Sequence, residues 1–191
     1  MKSIHKIVIA VSKGLELLHW GAAALMALLF IGCFAAKDWF VSTLSSGIPA
    51  FGSTLTTYGY EMLVTAADNQ VNPTAIALFA IGACLIFVLM AMVFRNIYLI
   101  MKTTAGKTSF SEGTTPFQKS NVRMVKEIGI FYIAVPVVGL IMSIISRMII
   151  GVETAEIYMN MDGIITGIII LCLAQIFAYG TELQNDVDGL V

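Results

Sequence analysis

The sequence predicts an all-α, polytopic membrane protein: a bundle of four transmembrane helices with the N and C termini in the cytoplasm. Of its 191 residues, 58% are hydrophobic and only 12% are charged, and the apolar residues form four long runs. Soluble domains carry about 25% charged residues. Half of that is too little to cover a surface that faces water, which excludes a soluble enzyme, a disordered regulator and a free-standing nucleic-acid-binding domain.

The four apolar runs have the length that a transmembrane helix requires. A bilayer core of about 30 Å needs about 20 mostly apolar residues per helix, and continuous runs without alternation favour helices over barrel strands. We predict one membrane domain over residues 1–191, with spans at 17–36, 74–94, 128–146 and 163–179. The connecting segments are an external loop at 37–73, a cytoplasmic loop at 95–127 and an acidic cytoplasmic tail at 180–191.

The distribution of basic residues predicts the orientation of these spans, because short cytoplasmic loops are enriched in lysine and arginine. Nine of the 11 basic residues precede the first span or lie between the second and third spans. Only Lys37 and Arg147 lie on the other side. The N terminus, the middle loop and the C terminus are therefore expected in the cytoplasm.

Two features of the N-terminal region leave alternatives open. Residues 2–18 carry an apolar stripe with Lys2, Lys6 and Lys13 off the stripe, which favours an amphipathic helix on the membrane surface over a water-exposed stalk. His19 is the only strongly polar residue of the first span, and beside Trp20 it is interpreted as an interfacial anchor. A haem or metal ligand is the alternative for His19.

No pattern in the sequence indicates catalysis or a cofactor. The three cysteines fall in three different spans, without a CxxC pair or a Cys/His cluster. The second, third and fourth spans contain no Asp, Glu, Lys, Arg or His, which argues against a proton-coupled transporter, a pump or an ion channel acting alone. We predict a non-enzymatic protein that binds neither metal nor cofactor and does not bind nucleic acid directly.

Local motifs predict where the helices begin. Asn72-Pro73 is an N-cap followed by proline at the first helical position. Thr115-Pro116 with Gln118 matches a capping box, which predicts that a helix starts near Pro116 and continues into the third span. In the external loop, Thr54–Ala67 could form a short helix on the membrane surface.

The polar residues that could act lie on the cytoplasmic side, where a basic loop and an acidic tail offer three interpretations. They could set the topology and contact anionic lipid, they could pair with each other, or they could bind a cytoplasmic partner. Gln175 and Glu182 share one face of the fourth span, and Arg95 ends the second span at a comparable depth. We therefore predict an Arg95–Glu182 or an Arg95–Gln175 contact inside the bundle.

Two segments carry a resemblance to a known family. The first signature is Pro116-Phe117-x-x-x-Asn121-Val122-x-x-x-Lys126-x-Ile128-Gly129, and the second is Ile176-Phe177-x-Tyr179-Gly180-x-x-Leu183-Gln184-x-Asp186-x-Asp188. With four spans in this order, they resemble the bacterial membrane family known as "domain of unknown function 2975". The external loop of this chain looks longer than is usual in that family.

The resemblance implies a cellular context rather than an activity, since members are often encoded beside a small helix-turn-helix regulator. It implies a multi-pass protein of the bacterial inner membrane that binds or modulates such a cytoplasmic regulator. The expected contact residues are Pro116, Phe117, Asn121, Arg123, Lys126, Tyr179, Glu182, Leu183, Gln184, Asp186 and Asp188. The same residues could instead specify the fold through caps and tail packing. The alternative function is a transport-associated or peptide-immunity protein that acts through the external loop and a crevice in the bundle.

Overall fold

The computed structural model consists of four long helices and one β-hairpin. It describes residues 2–35, 39, 42–43, 54–65, 71–113, 115–151, 155–157 and 159–188, and 79% of them are helical. In chain order the elements are α1 (Lys2–Ala35), β1 (Thr54–Thr57), β2 (Tyr60–Leu63), α2 (Pro73–Thr104), α3 (Lys119–Ile149) and α4 (Met161–Asp188). The mostly helical class is confirmed, and all four helices are long and apolar enough to cross a membrane.

The start of α2 is the predicted one. The side-chain oxygen Oδ1 of Asn72 accepts hydrogen bonds from the backbone N–H groups of Thr74 (3.0 Å) and Ala75 (3.3 Å), and the Asn72 carbonyl accepts the first intrahelical bond, from Ile76. Asn72 is therefore the N-cap, and it satisfies donors that the first turn of a helix leaves unpaired.

The predicted start of α3 is wrong by one turn. The first helical hydrogen bonds run from the N–H groups of Asn121 (2.9 Å) and Val122 (3.1 Å) to the carbonyl of Gln118, so α3 begins at Lys119. Thr115 does not cap the helix: its hydroxyl accepts from the N–H of Phe117 and closes a separate turn. The side chain of Gln118 forms hydrogen bonds with the preceding loop. The residue that precedes the first turn of α3 is therefore Gln118 rather than Thr115.

A β-hairpin replaces the short helix considered for Thr54–Ala67, and of that segment residues 66–67 lie outside the described part. Strands β1 and β2 pair antiparallel around the two-residue turn Tyr58-Gly59, whose φ angles are both positive (46° and 80°). This is the turn geometry that matches the twist of paired strands. An added Cβ on Gly59 would lie 2.5 Å from Nδ2 of Asn160, so glycine is needed here for space as well.

The chain groups into two compact units, each of which takes part of α1, α2 and α3. Unit 1 comprises Met1–His19, Leu89–Ala134 and Asp162–Val191, and unit 2 comprises Trp20–Val88 and Val135–Met161. Unit 1 contains the cytoplasmic loop and tail of the sequence prediction, and unit 2 contains the hairpin.

The core of unit 2 forms around the inward side chains of the hairpin. Tyr60 and Met62 are fully buried, and the ring of Tyr60 stacks on Phe79 at 5.4 Å. Gly82 of α2 leaves room for this ring, since an added Cβ would lie 2.7 Å from its Cε1 atom. Burial raises the pKa of Tyr60, so its hydroxyl stays protonated and donates to the carbonyl of Leu78.

In unit 1, α3 and α4 come into close contact at two glycines. An added Cβ on Gly129 would lie 3.0 Å from the carbonyl oxygen of Gly167, and one on Gly167 would lie 2.8 Å from the carbonyl oxygen of Gly129. Helices approach this closely only where neither residue has a side chain. The glycine pair thus fixes the distance between the two helices.

We expect Gly167→Ala to destabilise the packing of α3 on α4. The new methyl group would lie 2.8 Å from the carbonyl oxygen of Gly129 and 3.2 Å from the backbone nitrogen of Ile133, so the helix backbones must separate. Overpacking of this kind costs about 1–3 kcal/mol. Thermal unfolding of the protein in a mild detergent, followed by circular dichroism, measures the change.

The matched control for this substitution is Gly14→Ala in α1, where no atom lies within 4 Å of an added Cβ. Alanine should stabilise that helix by up to about 1 kcal/mol through its higher helix propensity. Equal unfolding midpoints for the two variants would contradict the close contact at Gly129 and Gly167.

Candidate functional site

The segment between α2 and α3 is held by the side chains of two buried amides. The Nε2 group of Gln118 donates to the carbonyls of Gly113 (3.1 Å) and Thr115 (2.6 Å), while its Oε1 atom accepts from the backbone N–H of Glu112 (2.9 Å). Three hydrogen bonds from one buried side chain fold the end of the loop onto the first turn of α3.

Asn121, a residue of the first signature, is the second buried amide. Its Nδ2 group donates to the carbonyl of Pro116 (2.9 Å) and to the hydroxyl of Thr104 at the end of α2 (3.3 Å). Its Oδ1 atom is buried and has no hydrogen-bond partner in the described part of the chain. The arrangement assigns Asn121 to joining α2, the loop and α3, and leaves its side chain inaccessible to a partner.

The structure brings the two signatures into contact. The ring of Phe117 lies against Gly180, where an added Cβ would be 2.6 Å from the ring atoms Cδ1 and Cε1, and its centroid is 5.8 Å from that of Phe177. The hydroxyl of Thr115 donates to Oε1 of Gln184 (2.8 Å). Loop and tail thus pack on each other through an aromatic ring, a glycine and an amide.

Charge does not hold this contact together. In the described part of the chain, ion pairs join Lys13 to Glu16 and Arg123 to Glu127, both within single helices. The acidic side chains of Glu182 and Asp186 in the tail are exposed. Packing of the tail on the loop, one of the three interpretations of these segments, therefore occurs without the charge pairing that was considered.

Several residues of the signatures point outward instead. Tyr179 is 63% exposed, and the second signature also exposes Glu182, Leu183 and Asp186, while the side chain of Asp188 lies outside the described residues. Pro116 and Lys126 of the first signature are exposed, and so is Arg123, which occupies one of its unspecified positions. These side chains are available to a binding partner.

The structure does not join Arg95 to either residue that the sequence suggested. The side chain of Arg95 is exposed and contacts Sδ of Met92 at 4.0 Å, and the hydrogen bonds and ion pairs of the described residues link it to neither Gln175 nor Glu182. Gln175 is also exposed. The interhelical polar contact is instead made one residue later, by Asn96.

Asn96 forms a second hydrogen bond that joins α2 to α3, besides the one from Asn121 to Thr104. Its Nδ2 group donates to Oε2 of Glu127 (3.0 Å), and Oε1 of the same carboxylate accepts from Nε of Arg123 (2.8 Å). Asn96 is buried, and Glu127 is partly buried. Sequence reasoning missed this pair, although Glu127 directly precedes the predicted third span and Asn96 lies two residues after the predicted second span.

A buried polar face on α1 was also missed. Ser12, Glu16 and His19 share one side of the helix and are buried, whereas the apolar Ile4 and Val11 are exposed. The i, i+4, i+7 spacing of the three polar residues is visible in the sequence and could have revealed this face. The prediction placed the apolar stripe of this segment against the membrane, and the exposure of Ile4 and Val11 is compatible with it.

His19 is buried inside unit 1, and its interpretation as an interfacial anchor stays a prediction. Its ring centroid is 5.0 Å from that of Phe94 on α2, and its Nδ1 donates to the carbonyl of Leu15 (2.8 Å). Near it, the ring of Tyr98 receives the ammonium groups of Lys13 (5.1 Å) and Lys102 (4.9 Å). The contact of Lys13 connects α1 with α2, whereas that of Lys102 lies within α2.

Within the described ranges, no group of three or more His, Cys, Asp or Glu side chains could hold a metal ion. The thiol of Cys84 donates to the carbonyl of Ala23 at 3.4 Å, Cys33 is buried and Cys172 is exposed.

Comparison of the chain with protein-family models, with curated proteins and with solved structures finds no match. The resemblance of the two signatures to a bacterial membrane family stays a prediction from the sequence.

We expect Gly180→Ala to loosen the tail, because its methyl group would overlap the ring of Phe117. Phe117→Ala removes that ring, so the effect of Gly180→Ala should be smaller by about 0.5 kcal/mol or more in the Phe117→Ala background. The double-mutant cycle is measured by thermal unfolding in detergent and by the rate of Glu-specific proteolysis at Glu182. Additive effects in both measurements would show that the two signatures do not touch.

Proposed function

We propose that the chain is a non-enzymatic, multi-pass protein of the bacterial inner membrane that binds a small cytoplasmic helix-turn-helix regulator. In this proposal the N terminus, the middle loop and the C terminus face the cytoplasm, and the end of α4 is the binding element. The observation that carries it is the exposed acidic and aliphatic surface at the end of α4.

The outward faces of the helices support insertion into a bilayer. Only 17% of the most apolar window of α1 and 11% of that of α4 are buried, against 56% for α2. Exposed apolar side chains include Leu25 and Leu28 on α1 and Ile165 and Ile169 on α4. Leaving so much apolar surface in water is unfavourable by about 25 cal/mol per Å². The buried polar face of α1 fits the same view, since polar groups of membrane helices face the protein interior.

The end of α4 extends beyond the predicted fourth span. That span ends at residue 179, and α4 continues to Asp188, which adds nine residues and roughly 14 Å at about 1.5 Å per residue. The exposed residues of this extension include Glu182 and Asp186, four positions apart, and Leu183 and Val187, also four positions apart. Acidic and aliphatic groups thus lie in adjacent rows along the helix.

The chemistry of this surface suits a DNA-binding regulator. Such proteins expose clustered Lys and Arg side chains that bind phosphates, so a helix with an acidic row can occupy the same basic surface. The acidic side chains of Glu182 and Asp186 form no ion pair within the described chain. The contact of Phe117 with Gly180 holds the base of the extension, which orders the helix before a partner binds.

The experiment is affinity capture of a tagged chain in mild detergent from its native host, with the captured protein identified by mass spectrometry. We expect a helix-turn-helix protein, with capture reduced about fivefold to tenfold for the Glu182→Gln/Asp186→Asn variant, since two exposed charge pairs are lost. DNA carrying the operator of that protein should compete for binding.

The matched control is Glu112→Gln/Glu156→Gln, which removes two exposed carboxylates away from α4. This variant should capture the regulator like the wild type. Capture of no helix-turn-helix protein, or an equal loss for both double variants, would overturn the proposed partner and its site.

A separate experiment tests the membrane orientation. In a chain whose native cysteines are replaced, Lys107→Cys and Thr56→Cys place single thiols at exposed positions of the middle loop and the hairpin. A membrane-impermeant maleimide should label Thr56→Cys on intact cells, and Lys107→Cys only after permeabilisation. The reverse pattern would contradict the proposed topology.

The alternative role in transport or peptide immunity requires an open crevice beside the external loop. Within unit 2, Tyr60 and Met62 of the hairpin are fully buried among helix residues. We retain binding of a regulator as the proposed function because the exposed acidic row of α4 supports it.

A further inference from the structure

A cavity of about 460 Å³ lies between α2 and α3 in unit 1. Its volume falls within the range of about 300–1,000 Å³ that small-molecule sites occupy. One face of each helix supplies four lining residues at the spacing i, i+3, i+4, i+7, and Phe110 of the loop completes the lining. These residues are Met92, Arg95, Asn96 and Leu99 on α2 and Ser120, Arg123, Met124 and Glu127 on α3.

The charge of the cavity favours an anion. Arg95 and Arg123 contribute two positive charges, and Glu127 contributes the one negative charge of the lining. Both oxygens of that carboxylate are engaged, one by Asn96 and the other by Arg123. A bound cation would have to displace these contacts, whereas an anion finds two guanidinium groups.

Donors in the cavity are left without acceptors. Arg123 uses Nε for its bond to Glu127, and its side chain is 81% exposed, so its two terminal nitrogens have no acceptor among the described residues. Arg95 has no oxygen acceptor there either. The hydroxyl oxygen of Ser120 is buried and has no hydrogen-bond partner in the described part of the chain. A phosphate group accepts hydrogen bonds from donors of both kinds.

The rest of the lining is apolar. Met92, Leu99 and Met124, together with the exposed ring of Phe110, offer contacts that a free inorganic ion does not use. Flexible methionine side chains adapt to ligands of irregular shape. The cavity therefore combines an anion site with a surface for hydrocarbon, which is the chemistry of an amphipathic phosphate.

The position of the cavity along the chain matches the level of lipid headgroups. Arg95 directly follows the predicted second span, and Glu127 directly precedes the predicted third span. Both lie on the side that carries nine of the 11 basic residues. Basic pockets between transmembrane helices on the cytoplasmic side bind anionic headgroups.

We infer that this cavity binds the phosphate of an anionic membrane phospholipid between Arg95 and Arg123, with the start of an acyl chain against Met92, Leu99 and Met124. The inference rests on the proposed membrane insertion and is independent of the proposed regulator. The bound lipid links α2 to α3 next to the Asn96–Glu127 hydrogen bond. It thereby stabilises the first turns of α3.

The test uses the full chain, purified in a neutral detergent and freed of lipid. Phosphatidylglycerol, phosphatidylcholine or inorganic phosphate is added, and binding is followed by native mass spectrometry and by the midpoint of thermal unfolding. We expect phosphatidylglycerol to bind and to raise the midpoint, and phosphatidylcholine and inorganic phosphate to do neither at equal concentration. Arg95→Ala and Arg123→Ala should each weaken phosphatidylglycerol binding roughly tenfold, as expected for lost hydrogen bonds to a charged group.

The matched control is Lys119→Ala, which removes one exposed positive charge from α3 outside the cavity lining. It should bind phosphatidylglycerol like the wild type. Arg95→Lys and Arg123→Lys keep the charge but lose the forked geometry, so they should recover only part of the affinity. Circular dichroism without lipid establishes that each variant is folded.

Three results would overturn the inference. An equal loss of phosphatidylglycerol binding in Lys119→Ala and Arg123→Ala would show that the lipid responds to the overall surface charge and not to this cavity. Binding of inorganic phosphate as strong as that of phosphatidylglycerol would assign the site to a free anion. Unchanged lipid binding in folded Arg95→Ala and Arg123→Ala variants would show that the cavity is not the lipid-binding site. None of these results depends on whether a regulator binds to α4.

Discussion

Most of the polar side chains that are buried among the apolar helices of unit 1 form hydrogen bonds inside the protein, and these bonds organise the unit. Leaving such a group without a hydrogen bond costs several kcal/mol in an apolar setting. The buried side chain of Asn96 on α2 donates a hydrogen bond to Glu127 on α3, and the buried side chain of Gln118 forms three hydrogen bonds with the loop. The positions of α2, the loop and α3 thus follow from a few amide and carboxylate groups rather than from apolar contact alone.

Small residues provide the second condition, because helices pack closely where their side chains are small. Gly129 and Gly167 bring α3 next to α4, and Gly180 receives the ring of Phe117. The last contact has a functional consequence in the proposed role. It uses one side of α4 for packing and leaves Glu182 and Asp186 on the exposed side, where a partner can reach them.

The candidate site could be predicted in part from the sequence. Packing of the tail on the middle loop was one of three interpretations of the sequence. The structure packs Phe117 of the loop on Gly180 of the tail, and the hydroxyl of Thr115 donates to Gln184. The charged residues of the same segments suggested ion pairs instead. An exposed ion pair contributes little, so ring packing and an amide hydrogen bond determine the contact.

Arg95 illustrates what helical spacing cannot decide. Sequence spacing gives the face of its own helix on which a residue lies, but not the rotation of the neighbouring helix. Depth along the span suggested Gln175 and Glu182 as partners, and the rotation of α4 leaves both of these exposed. The same reasoning applies to α1: its apolar stripe was visible, but only the packing of His19 against Phe94 showed that the polar face is the buried one.

The sequence by itself determined the four long apolar helices and the N-cap at Asn72, because hydrophobic length and local capping depend on residues that are adjacent in the chain. Only the tertiary structure decided that Thr54–Leu63 forms a hairpin, that Asn96 pairs with Glu127, and that two arginines line one cavity. These features depend on which faces of separate helices meet. Packing and the pairing of buried polar groups select those faces. Both involve residues that are far apart in the sequence, so local sequence patterns do not predict them.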